Sequence, residues 1–272
     1  MQASFFVQQL HCRFRALNTV SFGSAGAANT IRGALGWNLR RIAGETAYSR
    51  LFQPPKGDHG PSGLVDWPRP FVLRASHLDE TRVPAGQGFQ FDLHLFETGA
   101  MASQAIDWLR SALAHMPWAM MENIEVSKLS VDLGATPPPL SRIRVDFITP
   151  TELKAGGALV EQPDFSPLFA RARDRVATLR ALYGGGPVEA DFTALGESAR
   201  HVVMESCNLN QVERTRRSSR TGQKHGIGGF TGQAIYSGNL AEFWPWLQAA
   251  QWTGVGRQTV WGKGHIKIWT MS

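Results

Sequence analysis

At 272 residues and 43% hydrophobic content, the chain has enough apolar mass for one large domain or two small ones with proper cores, which excludes a disordered or low-complexity protein. Lys and Arg number 28 against 22 Asp and Glu, a formal charge of +6, so the surface attracts anions, nucleic acid among them. Only two cysteines are present, Cys12 and Cys207, each in an apolar strand-like run far from a second ligand at metal spacing, so neither a zinc site nor a disulfide framework is suggested.

The alternation of Phe6, Leu10, Cys12, Phe14 and Ala16 predicts a first strand, and Ile31, Leu35, Leu39 and Ile42 at helical spacing predict a helix after it. Asn29 is the expected N-cap of that helix and Gly44 its expected stop. Gln53 to Pro70 is rich in Pro and Gly and reads as a long loop, of a length often tied to function. Strands follow at Phe71 to His77 and Phe89 to Phe96, the second setting Phe89, Phe91, Leu93 and Leu95 against Gln90, Asp92 and His94. A helix from about Ala102 to His115 has Ile106, Leu109 and Leu113 on one face, and a strand then passes through Ile124, Val126, Leu129 and Val131. The order is βαββαβ.

The run Gly134-Ala135-Thr136-Pro137-Pro138-Pro139 neither continues a strand nor starts a helix, because proline fixes φ and removes a donor. It places a linker at 135–139 between domains 1–134 and 140–272. A strand from Arg142 to Thr149 leads to a helix from about Ser166 to Tyr183, with Ser166 as cap, Pro167 in the first turn, and Leu168, Ala172, Val176 and Leu179 on one face. Gly184-Gly185-Gly186 ends that helix. Strands at Val202 to Leu209 and Gly229 to Tyr236, a helix begun by Asn239 with Glu242 three residues on, and a strand from His265 to Trp269 complete a second βαββαβ. The expected fold class is α+β, with two tandem ferredoxin-like, RRM-like domains. No run approaches the ~18 apolar residues of a membrane span, and Met1 to Leu10 lacks the cationic start of a signal peptide, so a cytoplasmic protein without membrane contact is expected.

Two segments of the second half carry chemistry. Arg214, Arg216, Arg217, Arg220 and Lys224, with His225 beside them and no acid among them, read as a cationic hairpin loop between two strands. Such a projection neutralises several phosphates at once and suits duplex RNA, which is read through backbone and shape. Gly254-Val255-Gly256 and Gly262-Lys263-Gly264 form a glycine-rich loop whose backbone N–H groups can approach a phosphate, with Arg257 and Lys263 adding charge. It is not a nucleotide P-loop: the interval from Gly256 to Gly262 is one residue too long, and Gly264 stands where a Ser or Thr is needed. Trp244, Trp246, Trp252, Trp261 and Trp269 could stack on bases, but Phe243 and Leu247 interleave with them at helical spacing and most read as core.

The run from Gly229-Phe230-Thr231-Gly232 through Ile235-Tyr236-Ser237-Gly238-Asn239-Leu240, followed by Gly254-Val255-Gly256-Arg257-Gln258-Thr259-Val260-Trp261-Gly262-Lys263-Gly264, resembles the C-terminal half of the CRISPR repeat-processing endoribonucleases of the RAMP superfamily. The likeness covers about the last 45 residues closely, and Ile31-Arg32-Gly33-Ala34-Leu35-Gly36 looks like the arginine-glycine start of the first helix in many members. The resemblance implies a metal-independent cut in repeat RNA. The 2′-hydroxyl upstream of the scissile phosphate attacks in line, leaving a 2′,3′-cyclic phosphate and a 5′-hydroxyl, and the protein stays bound to its product. It further implies as partners a repeat RNA, in stem-loop form, and other CRISPR effector subunits, with no DNA contact by this chain alone and no cofactor or metal.

Many members place a histidine near the first helix, and this chain departs from them: no histidine lies between Cys12 and Gly57. His11 sits on the first strand opposite Leu10 and Cys12, and His59 sits in the long loop. The residues that crowd the helix are Arg32, Arg40 and Arg41, with Tyr48 and Arg50 just beyond it. Arginine cannot be a general base, but it can hold a phosphate in line and offset transition-state charge. The expected site therefore has Arg32 and Arg40 on the scissile phosphate, Tyr48 or His59 handling a proton, and Arg41, Arg214, Arg216, Arg217, Arg220, Lys224, His225, Arg257 and Lys263 on the RNA backbone. The alternative is a non-catalytic RAMP subunit that clamps guide RNA in an effector complex; a ferredoxin-like enzyme of a phosphorylated metabolite would leave Arg214 to Lys224 without a purpose.

Overall fold

The computed structural model describes residues 3–55, 67–135, 137–213, 215–217, 224–226 and 228–271, the strands at 215–217 and 224–226 as backbone only. In the first half β1 (Ser4–Ala16) and β2 (Val20–Ser21) lead to α1 (Ala27–Ile42) and α2 (Gly44–Phe52). Then come β3 (Phe71–Arg74), a 3-10 turn at Ser76–Leu78, β4 (Arg82–Val83), β5 (Gly88–Leu95), α3 (Ala102–Leu113) and β6 (Ala119–Asp132). The second half has β7 (Arg142–Thr151), β8 (Lys154–Ala155), β9 (Ala158–Leu159), α4 (Phe165–Tyr183), α5 (Phe192–Ala199), β10 (Val203–Val212), β11 (Thr215–Arg217), β12 (Lys224–Gly226) and β13 (Gly229–Ser237). A 3-10 turn at Ala241–Phe243, α6 (Trp244–Thr253), a further 3-10 turn at Thr259–Trp261 and β14 (Ile266–Thr270) close the chain.

Two antiparallel sheets run β3-β5-β1-β6 and β10-β13-β7-β14. Counting the sheet strands of each half from its own start, both follow the order 2-3-1-4, so the chain is α+β with tandem ferredoxin-like halves. The short strands pair as separate ribbons, β2 with β4, β8 with β9 and β11 with β12.

β1 serves two cores because its faces alternate. Leu10, Cys12, Phe14 and Ala16 point under α1 and α3, where the Phe14 ring stacks on Phe89 at 5.6 Å and on Phe91 at 5.4 Å. Phe5 and Val7, on the opposite face, join Val72 and Phe96 in the core built around α4 and α6 of the second half. Each such side chain contributes roughly 1.5–3 kcal/mol by leaving water, so the two halves share buried area as well as a connection.

Several helix ends differ from expectation. α1 starts at Gly26, with φ +85°, rather than at Asn29, and its first free N–H, on Ala27, donates to the Asp79 carboxylate at 2.8 Å. Gly44, also at φ +85°, does stop α1, but α2 begins there instead of a loop. Asp164 rather than Ser166 precedes α4, and Asp191 caps α5, a helix absent from the sequence reading, by accepting from Thr193 N and Ala194 N at 3.0 and 2.9 Å. Asn239 lies before a 3-10 turn, and α6 starts only at Trp244 with Pro245 in its first turn. Among the described residues no helix is long and apolar enough to cross a membrane.

Candidate nucleic-acid interface

α1 buries Ile31, Leu35 and Leu39 and leaves Gly33, Trp37, Arg40 and Arg41 outward. Gly36 lets α2 lie close: a Cβ there would stand 2.7 Å from Cε1 of Phe52. Along this contact guanidinium groups and rings alternate. Arg40 Cζ lies 5.3 Å over Tyr48, Tyr48 stacks on Phe52 at 5.5 Å and 13°, and Arg32 Cζ lies 5.2 Å over Phe52 and 5.9 Å from the Trp261 ring. Each cation over a ring is held by the negative face of the π-system. Arg40 also meets Glu45 at 2.7 Å, an exposed ion pair that solvent screens heavily.

Trp261 carries this strip into the glycine-rich loop of the second half. The loop closes through Val255 N on Gly264 O at 2.9 Å, and a Cβ on Gly262 would stand 2.6 Å from the Ala28 Cβ of α1. Only glycine permits that approach, since Gly262 also has φ +84°. Where loop and helix start meet, a small cleft is lined by Gly26, Asp79, Thr149, Trp261, Gly262 and Lys263. Lys263 is only 3% exposed; its Nζ lies 3.1 Å from Gln258 Oε1 and 3.5 Å from Glu152 Oε2, and Arg257 pairs with the same Glu152 carboxylate. Burial pulls the Lys263 ammonium below the usual lysine range, while Glu152 opposes that shift.

Of the expected cationic hairpin, only the backbone of two short strands is among the described residues. β11 and β12 pair antiparallel, with Thr215 opposite Gly226, Arg216 opposite His225 and Arg217 opposite Lys224. His59, Arg214 and Arg220 lie outside the described residues.

With this geometry in place, a family model for the CRISPR-associated endoribonuclease Cas6 matches residues 145–266, from the first sheet strand of the second half into the last. Over that segment the chain is similar to the Cas6 endoribonucleases. A further family model, described as an N-terminal domain, matches residues 5–117. A solved Cas6 product complex superposes with a TM-score of 0.65 at 16% identity, covering 97% of this chain and 100% of that one. Thermus thermophilus Cas6 superposes with a TM-score of 0.63 at 16% identity over 99% and 100%. A partial Cas6-RT-Cas1–Cas2 complex gives 0.56 at 11% identity, over 98% of this chain and 46% of that one. These likenesses show that the chain shares the fold of those structures. No curated protein matches the chain.

In this chain Arg32, Arg40 and Tyr48 come together on one strip, and Arg41 lies outward on the same helix. Arg50 turns the other way: its Nε donates to Glu97 Oε2 at 2.7 Å and its guanidinium lies 5.1 Å over the Tyr183 ring of α4, so it ties α2 to the second half. His11 pairs with Asp92 on the sheet face. Of the C-terminal tryptophans, Trp246 is core, Trp252 packs edge-on to His94 at 5.2 Å, and Trp269 donates from Nε1 to Asp146 Oδ2 at 2.7 Å.

Sequence reasoning missed a polar set between the halves. Arg74 of β3, 8% exposed, donates from Nη2 to the carbonyls of Gln251 and Trp252 at 3.0 Å each; the Nδ1 edge of His94 meets the Trp252 carbonyl at 3.1 Å; Arg175 of α4 donates to the Thr253 carbonyl at 2.9 Å. All three engage the last carbonyls of α6, where the helix dipole is negative. Burial, then the nearby Arg74 charge, holds His94 down to about 3 and His265 down to about 2, so both imidazoles are neutral. The signal was present in Arg74 ending an otherwise apolar strand.

Proposed function

We propose that this chain binds CRISPR repeat RNA across the junction of its halves, cleaves it once without a metal, and keeps hold of the product. The observation that carries the reading is the strip from Arg40 through Tyr48, Phe52 and Arg32 to Trp261, which joins the first helix to the glycine-rich loop. In the reaction the upstream 2′-oxygen loses its proton to a base and bonds to phosphorus. The P–O5′ bond breaks, and the departing oxygen takes a proton, leaving a 2′,3′-cyclic phosphate and a 5′-hydroxyl. Arg32 and Arg40 hold the crowded phosphate and offset its added charge, Arg40 exchanging the Glu45 carboxylate for it. Tyr48 or His59 handles a proton. Arg41, Arg257, Lys263 and the hairpin residues Arg214, Arg216, Arg217, Arg220, Lys224 and His225 neutralise the RNA backbone, the hairpin on a repeat stem-loop.

The division into domains 1–134 and 140–272, joined by 135–139, is part of the same proposal: each half supplies one wall of the site. One structural relative is a partial Cas6-RT-Cas1–Cas2 complex, which supports other CRISPR proteins as partners. A second reading, a RAMP subunit that clamps guide RNA without cutting, is favoured by the strip itself, whose cations are arginines and cannot act as a base. The two are separated by incubating the protein with repeat RNA in EDTA, beside the same RNA carrying one 2′-deoxy substitution at each position in turn. Cleavage at one site, abolished by one deoxy position, supports the nuclease; tight binding with no cut supports the clamp.

A further inference from the structure

Trp37 stands on the outward face of α1 with 72% of its surface exposed, more than any other large hydrophobic residue among those described. Among the described residues it has no ring, cation or hydrogen-bond partner, whereas the other well-exposed indole, Trp269, is held by Asp146 and lies under Arg144. An indole left in water forgoes most of its transfer free energy. Its surroundings are open in a specific way. Helical side chains lean toward the N-terminus, so the indole extends over the turn of Gly33, and a Cβ on Gly33 would meet nothing within 4 Å. At 3.6 residues per turn, Arg40 projects about 60° to one side of Trp37 and Arg41 about 40° to the other. α1 carries no acidic residue. The ring is thus an open face flanked by two exposed cations, next on the helix surface to the strip that begins at Arg40.

We propose that Trp37 is a stacking platform for one unpaired nucleobase of the bound RNA, with Arg41 meeting the adjoining phosphate. The inference rests on the RNA-binding reading above and deepens it by naming a position where the RNA is single-stranded and splayed out. An aromatic face accepts any base, and the flanking arginines complement a polyanion rather than an apolar protein surface. Stacking here fixes the strand beside Arg40, so that the platform positions the RNA and takes no part in proton transfer.

The test uses the full chain and a repeat RNA carrying 2-aminopurine at one unpaired position at a time. Stacking on the wild-type protein should quench one position strongly, and Trp37→Ala should release that quench and weaken binding about ten-fold, the scale of one base–aromatic stack. Trp37→Phe should restore most of both. Wild-type binding with the same quench pattern and affinity in Trp37→Ala would overturn the platform while leaving the RNA reading intact, and would point to a protein partner for the indole. A wild-type chain that binds no repeat RNA would remove both readings. The thermal midpoint of Trp37→Ala should equal that of the wild type; a lowered midpoint would assign the indole to packing and overturn the proposal.

Discussion

Arg40 and Arg50 stand ten positions apart, and their surroundings give them opposite work. The Arg40 guanidinium is exposed, faces an exposed Glu45 and overlies Tyr48, so its partners are ones that a phosphate can replace. Arg50 faces Glu97, whose side chain is 2% exposed, so removing it would strand a buried carboxylate. Arg40→Ala should leave the unfolding midpoint unchanged and slow single-turnover cleavage by about a hundred-fold, far more than it weakens binding; an unchanged cleavage rate would sink its assignment to the scissile phosphate. Glu45→Gln, which frees Arg40, should tighten RNA binding at low salt. Arg50→Ala should instead cost about 3 kcal/mol of stability, read from denaturant midpoints, because the loss of one buried partner leaves the other uncompensated.

At the scale of elements, the glycine-rich loop and α1 form one unit, because Gly262 and Ala28 touch and Trp261 reaches Arg32. Gly264 has φ +68°, and a Cβ there would collide with the Val255 carbonyl that faces it across the loop neck. Gly264→Ala should therefore lower stability by about 1–3 kcal/mol, and it should weaken RNA binding beyond what the lost folded fraction explains, since the neck opens away from α1. A midpoint within error of wild type would show that the neck is not strained. The elements legible in the sequence are those with sustained periodicity: β5 alternates over eight residues, and α4 repeats its apolar face over nineteen. α2 and α5 are nine and eight residues long, too short for a repeat to declare itself. The cap of α1 was illegible for a different reason, since Asp79 is 52 positions from the Ala27 N–H that it accepts. The same limit applies to the site: Arg32, Arg40 and Tyr48 were readable as a cluster because α1 and α2 are adjacent in sequence, whereas Trp261 joins them only through tertiary packing. Lys263, readable as a loop cation, sinks onto Glu152, which lies on the far side of the second half's sequence.

For the whole molecule, the question is what keeps the two walls of the site in register. Part of the answer is apolar, through Phe5, Val7, Val72 and Phe96, and part is the set of Arg74, His94 and Arg175 on the terminal carbonyls of α6. That polar set is pH-sensitive in one direction. His94 titrates near 3 and His265 near 2 in the folded chain, against about 6.5 for a free imidazole. Between those values the unfolded chain binds protons that the folded chain refuses, so stability must fall as pH drops below about 6.5 and stop falling, from this source, only below about 2. The groups facing His94 are Arg74 and His265, whose charges would repel a protonated imidazole, the Trp252 carbonyl, whose hydrogen bond opposes that shift without overcoming it, and the Trp252 ring. Carboxylates titrate mainly below about pH 5, so the window from pH 6.5 to 5 isolates the histidines. His94→Asn removes one titrating group while keeping an amide that can donate to Trp252. Its denaturant midpoint should fall less steeply across that window than the wild type's, and RNA affinity at pH 5.5, which needs both halves aligned, should drop less as well. Parallel midpoint curves for the two proteins would show that His94 does not couple the junction to protons, and would leave the apolar contacts as the link between the halves.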